Sequence, residues 1–224
     1  MSAPDEAERG PVTVPLHVPL PDVVEGPGGP LHRWRPGDEV VLSELVAASV
    51  AHLKSVMAFA WEEPIDLAAR RALLASWDEE WRRGTLGPYK VPDDGGAPCG
   101  VISLNRGGAP QELSIGYWIA PTEEGRGRVT QAASLLTAEA LAHDEVDTVV
   151  IAHDAANKRS AAVPRRLGFA RRGAVTRGAW AGGGPFVSVR WEADRSWHPP
   201  ARHASASAPD PSRSHERTVP PRTQ

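Results

Sequence analysis

Cysteine is almost missing from this chain of 224 residues, and the lone Cys99 excludes an intrachain disulfide scaffold. Lysine is scarce as well, confined to Lys54, Lys90 and Lys158, so arginine carries most of the basic charge. A formal net charge of -3 supplies no bulk field to hold a phosphate-coated duplex, and nucleic acid is not an expected partner. No apolar run approaches the roughly 20 residues of a membrane helix, so no membrane association is expected. The amino terminus, MSAPDEAERGP, lacks the apolar stretch of a secretory signal. A cytoplasmic protein is the default expectation, and no metal site is expected.

What the chain has in plenty is Ala, Arg, Gly and Pro, a balance that suggests a GC-rich bacterial genome. Its length suits one globular domain with attachments. Residues 1–29 read as a Pro/Gly-rich N-terminal extension, and residues 30–195 read as the domain. Residues 196–224 read as a disordered tail, because PPARHASASAPDPSRSHERTVPPRTQ has almost no large apolar residue to offset the entropy of ordering.

Within the domain, LHRWR (Leu31 to Arg35) alternates like a first strand. Leu42, Leu45, Val46, Ser49, Leu53 and Met57 recur at helical spacing. A second helix is expected to open at Pro64 and to bury Leu67, Leu74, Trp77 and Trp81. GPYKV, PCGVISLNR and ELSIGYWIA, separated by Gly-containing turns, read as three antiparallel strands. A helix over about residues 129–143, the strand TVVIAHD, a short helix over about 158–167 and two last strands, ARRGAVTR and PFVSVRWEA, complete an α+β domain with a mixed sheet.

The stretch EEGRGRVTQA (Glu123 to Ala132) places two glycines and two arginines between a strand and a helix. Backbone N–H groups and the positive end of the helix would face an anion there, which points to phosphate. A dinucleotide fingerprint is matched only in part by Gly125, Gly127 and Thr130, and the Gly-Lys-Ser/Thr of a Walker loop is absent. A tight turn with solvated arginines is the alternative.

Three segments together narrow the choice: IGYWIAP (Ile115 to Pro121), EGRGRVT (Glu124 to Thr130), and the Asn157, Ser160, Leu167, Gly168, Phe169 pattern. In that order, over about Leu31 to Arg195, the chain resembles the GNAT acyl-coenzyme A transferase superfamily, and in particular its branch that acetylates ribosomal-protein amino termini. The resemblance implies the GNAT fold, a mixed and mostly antiparallel sheet of about seven strands flanked by helices, with acetyl-CoA as co-substrate. It implies that backbone amides of Arg126, Gly127, Arg128, Val129 and Thr130 cradle the diphosphate while the two arginines neutralise it. It further implies a strand splayed from its parallel neighbour, an amide near Ile119 facing the thioester, Asn157 holding the pantetheine, and Ser160 near the sulfur.

The chain departs from the family pattern at three places that bear on catalysis. Glu124 stands where many members have Gln or Arg. Pro164 stands where many have a tyrosine acid, which leaves Ser160 or water to protonate the thiolate. Ser114 stands where relatives have a glutamate, so Glu112, two residues back, is the candidate base, with His153 behind it. A site without a strong base suits an α-amine of pKa near 7.7–8.0 better than a lysine near 10.4. Glu62, Glu63, Asp78, Glu79 and Glu80 are expected to attract a cationic acceptor. The leading expectation is an N-acetyltransferase acting on a protein amino terminus or another primary amine, as monomer or homodimer. A small-molecule amine acetyltransferase and a coenzyme-A-binding module without turnover are the alternatives.

Overall fold

The structure, a computed structural model, describes residues 18–178 and 184–200. From residue 201 on, the expected tail lies outside the described residues. Beyond a short pair, β1 (Val23–Val24) and β2 (Leu31–His32), three strands follow the hairpin reading: β3 (Leu86–Pro92), β4 (Pro98–Arg106) and β5 (Glu112–Ile119) pair antiparallel, with Tyr89 opposite Ile102 and Ile102 opposite Tyr117. β6 (Thr148–Asp154) lies parallel to β5, and β8 (Phe186–Asp194) fits antiparallel between β6 and β7 (Ala170–Arg177). The resulting order is β3-β4-β5-β6-β8-β7, the expected α+β mixed sheet with six strands in the main sheet.

Alternation along the strands sends apolar side chains to both faces. On one face, Tyr89, Ile102, Leu104, Ile115, Val149 and Ile151 pack against α3 (Arg128–Leu141) and α4 (Lys158–Arg166). The small residues Ala132, Ala133 and Ala140 of α3 are fully buried there and let the helix approach the sheet. On the other face, Leu42, Val46 and Leu53 of α1 (Glu39–Leu53) and Leu74 of α2 (Leu67–Arg82) close a second core with Trp34, Val101 and Trp118. α1 packs over β4, and α2 packs over β3.

Four expectations are corrected. α2 starts at Leu67 and not at Pro64, because the Asp66 carboxylate accepts from the Ala69 N–H and caps the helix there, and Leu67 is exposed. The strand expected over 31–35 is only β2 (Leu31–His32), paired with β1 (Val23–Val24) in a separate two-stranded sheet, while Arg33 bridges to Tyr89. Part of the supposed N-terminal extension belongs to the core: Val18 and Val24 are buried, and the Tyr89 hydroxyl donates to the Pro21 carbonyl at 2.9 Å. At the other end, Trp197 sits edge-on to Phe169 and its indole N–H donates to the Leu167 carbonyl at 2.7 Å, so packed chain runs past residue 195. In both cases single apolar residues set among Pro, Gly and polar residues carry no periodicity to read.

One feature of the sheet positions everything that follows. β5 and β6 pair only from Glu112 opposite Thr148 to Ser114 opposite Val150. Beyond that point the two strands diverge, as the resemblance implies, and their carboxyl ends open a V.

Candidate active site

The V opens into a cleft of about 1070 Å³, walled by β5 from Ile115 to Ile119, the end of β6, the loop before α3, the first turns of α4 and the end of α1. Along β5 the ladder to β4 uses every second residue. The Ala120 N–H donates to the Cys99 carbonyl, so the amide of Ile119 points the other way, into the gap that β6 has left.

At the open end of the V, the loop Glu124–Gly127 enters α3 with Gly125 at φ 76° and Gly127 at φ 82°, left-handed backbone that glycine adopts without strain. Nothing lies within 4 Å of a Cβ placed on either. The first helical bond of α3 runs from the Gln131 N–H to the Gly127 carbonyl, and Gly127 supplies no side-chain cap. The N–H groups of Arg128, Val129 and Thr130 are therefore left at the positive end of a helix, with room in front of them. A diphosphate fits this cradle.

The arginines of the loop do not serve as expected. Arg128 is held by Glu123 at 2.8 Å and Asp94 at 2.9 Å and is almost buried. Arg126 leans toward the same two acids, at 3.5 Å from Glu123 and 3.8 Å from Asp94. Their charges brace the loop. Besides Arg128, the cations that line the cleft come from α4: Lys158, Arg159 and Arg166. Arg159 meets Glu124 at 2.7 Å, and the other oxygen of Glu124 meets His52 of α1 at 3.1 Å.

α4 begins at Asn157, whose side-chain oxygen accepts from the Ser160 N–H at 2.9 Å, an N-cap. Its amide nitrogen is left for the cleft that it lines. Ser160 lies one turn on and also faces the cleft. Its hydroxyl is 3.0 Å from the hydroxyl of Tyr117, a residue of β5 that the sequence reading passed over. Burial, partly offset by the hydrogen bond to Ser160, pushes the Tyr117 phenol up to about 12.

Neither candidate base is free. Glu112 sits at the closed end of the V, away from the cleft lining, buried and gripped by both terminal nitrogens of Arg190 and by the Gly108 N–H. Burial alone would raise its carboxyl, but the Arg190 hydrogen bonds and charge, with the Gly108 amide, outweigh it and hold the group below the ordinary value. His153 does line the cleft. Its Nε2 accepts from the Trp191 indole N–H at 2.9 Å and its Nδ1 is 2.8 Å from the Asp154 carbonyl, so both ring nitrogens are committed within the protein. The five acids expected on the acceptor side, Glu62, Glu63, Asp78, Glu79 and Glu80, do not line the cleft. Glu63 is bound by Arg70, Asp78 by Arg33 and Arg82, and Glu79 by Arg83.

Comparison with known proteins agrees with this geometry. The family described as Acetyltransferase (GNAT) domain matches residues 31–170. The "Putative ribosomal N-acetyltransferase YdaF" of Bacillus subtilis (strain 168) is 30% identical over 149 residues, 66% of this chain and 81% of that protein. Among solved structures, a "Probable acetyltransferase" superposes with a TM-score of 0.67 at 29% identity, covering 73% of this chain and 91% of the other. RimL, named as a ribosomal L7/L12 α-N-protein acetyltransferase and solved with coenzyme A, superposes with a TM-score of 0.70 at 19% identity, covering 77% and 97%. The splayed strands, the amide cradle at α3 and the sequence match together make this chain a member of the GNAT acetyltransferase family, an enzyme that uses acetyl-CoA.

Proposed function

We propose that the enzyme transfers the acetyl group to the α-amine at a protein amino terminus. The observation that carries this reading is that both expected bases are already committed to other groups. Glu112 is clamped by Arg190, and His153 is committed at both nitrogens. The cleft carboxylates are engaged as well: Glu123 with Arg128, Glu124 with Arg159 and His52, and Asp154 with the Ala156 N–H. An acceptor must therefore arrive already neutral. At pH 7 roughly a tenth of α-amines are neutral, against about one lysine in 2,500. The names of the relatives, YdaF and RimL among them, support the same acceptor class.

In this reading acetyl-CoA supplies the activated acetyl group. The amides of Arg128, Val129 and Thr130, with Gly125 and Gly127 giving close approach, hold its diphosphate, and Arg159 and Arg166 balance the charge. Asn157 directs its side-chain amide at the pantetheine. The Ile119 N–H faces the thioester oxygen, where negative charge grows as the amine attacks. Ser160, steadied by Tyr117, gives its proton to the sulfur as the C–S bond breaks and regains, through water, the proton that the acetylated nitrogen sheds.

The test is acetylation of peptides with a free amino-terminal Ala or Ser, read by mass spectrometry from about pH 6 to 9. Rates climb with pH and level off near the α-amine pKa of about 8. Efficient acetylation of lysine or of a polyamine, with free amino termini ignored, overturns the proposal in favour of a small-molecule or side-chain acceptor.

A further inference from the structure

The charge of this chain is unevenly placed. From Ala155 to Trp191 there is no Asp or Glu, yet the same segment has Lys158, Arg159, Arg165, Arg166, Arg171, Arg172, Arg177 and Arg190. That segment takes eight of the 25 basic residues and none of the 28 acidic ones, so the rest of the chain is strongly acidic. Its described residues fold into α4, β7 and most of β8, with only residues 167–169 between the end of α4 and the outer strand β7.

The cofactor accounts for only part of this. Lys158, Arg159 and Arg166 line the cleft, and Arg172 and Arg190 are occupied by Glu192 and Glu112. Arg165, Arg171 and Arg177 remain, exposed, outside the cleft and without an ion pair among the described residues. Arg171 lies opposite Trp191 and Arg177 opposite Phe186, at the two ends of β7.

Among the described residues β7 is the outer strand of the sheet, and one row of its backbone N–H and C=O groups has no described strand beside it. All eight of its residues are exposed, and Val175 and Val187 show apolar surface there. Charge on an outer strand also discourages self-pairing, and two copies of this edge would set arginine rows against each other. An extended polypeptide of opposite charge meets neither obstacle. It gains backbone pairing along β7 and ion pairs at both ends. A nucleic acid would use the arginines but not the free backbone edge.

We infer that the α4–β7 flank is a docking surface for an acidic segment of the protein acceptor, whose amino terminus enters the neighbouring cleft. The inference rests on the protein-acceptor reading above and narrows it: the preferred acceptor is an acidic polypeptide. Phe186 and Ser188 of β8 line the cleft and lead directly to Arg177, so one chain can span both places.

Peptides with one shared amino-terminal sequence, followed by an acidic, a neutral or a basic run, test this on the full-length enzyme. At about 20 mM salt the acidic peptide is expected to exceed the neutral one in kcat/KM by about tenfold or more, through KM, and the gap is expected to shrink at about 300 mM. The combined variant Arg165→Glu, Arg171→Glu, Arg177→Glu is expected to lose the preference while keeping its rate on the short neutral peptide and its affinity for acetyl-CoA. Fluorescence anisotropy with the labelled acidic peptide reads docking without turnover, so it separates this surface from the choice of acceptor amine. Equal kcat/KM for acidic and neutral peptides, or a preference that survives in the variant, overturns the inference. So does tighter binding of a single-stranded RNA than of the acidic peptide, or a dimer in sedimentation that the variant abolishes.

Discussion

The Tyr117 hydroxyl donates to the Ser160 carbonyl at 3.1 Å, the acceptor that residue 164 would serve in a regular helix if it were not proline. A tyrosine on the sheet thus repairs a gap in α4 and, by the same placement, sets its oxygen 3.0 Å from the Ser160 hydroxyl. Tyr117→Phe should orphan the carbonyl and cost about 1–2 kcal/mol in urea denaturation. Pro164→Ala in that background restores an N–H and should recover much of the loss. No recovery would show that the hydrogen bond is incidental.

Ser160→Ala should lower kcat by about 10² if its hydroxyl protonates the thiolate, with the Kd for acetyl-CoA changed little. Stopped-flow transfer rates and calorimetric titration separate the two. A kcat within about twofold of the parent would assign the proton to water.

For Glu112→Gln the expectation is a structural loss without a chemical one. Removing the charge that faces Arg190 should cost about 1–3 kcal/mol and leave kcat near the parent value. The Glu112 carboxyl is held below its ordinary value, so its contribution is present above the unfolded carboxylate pKa of about 4.3 and fades as pH falls through the folded value. The variant should therefore flatten the acid limb of stability against pH. A kcat loss of about 10² or more in a stable variant would reinstate Glu112 as the base.

Gly127→Glu should abolish measurable acetyl-CoA binding while sparing the fold. Gly127 is at the surface with open space around it, but a side chain there is strained at φ 82° and its carboxylate repels the diphosphate. Unchanged affinity in a folded variant would remove the cradle from the mechanism.

The two tyrosines of the chain, Tyr89 and Tyr117, are both pushed up. Burial is the largest cause at each, and at Tyr89 the charges of Glu139 and Asp22 add to it. Both phenols hold their protons more tightly folded than unfolded. Their contribution to stability is intact below about pH 10 and is lost as pH rises through the folded values. Tyrosinate absorbance should stay low at about pH 11 in the native protein and be near full in urea. An early rise in the native sample would place a phenol in water.

Much of this was legible in the sequence, where the signal is local. The hairpins of β3, β4 and β5 and the glycine-opened start of α3 each sit within a short stretch whose periodicity or turn chemistry can be read directly. What escaped depends on sheet order. Tyr117 and Ser160 are 43 positions apart, His153 and Trp191 are 38, and Glu112 and Arg190 are 78. Nothing near Glu112 reveals that β8 will lie beside β6 and deliver Arg190 to it, so an acid on the right strand read as a base. Arg126 and Arg128 misled for the same reason, since Asp94 arrives from a different turn.

The early parting of β5 from β6 leaves the sheet as two halves joined along a short seam, with α3 packed across both. Three residue pairs bridge the strands, from Glu112 opposite Thr148 to Ser114 opposite Val150, and the Glu112–Arg190 pair locks the same end from the side. A ligand lying in the open part of the V touches both halves and acts as a splice where the backbone ladder is missing. Opening of the empty enzyme should therefore begin at the seam, with the amides of Ile115, Tyr117 and Ile119 exchanging hydrogen ahead of those that face β4. The cost of making room for the cofactor is cohesion, and the cofactor restores it on binding.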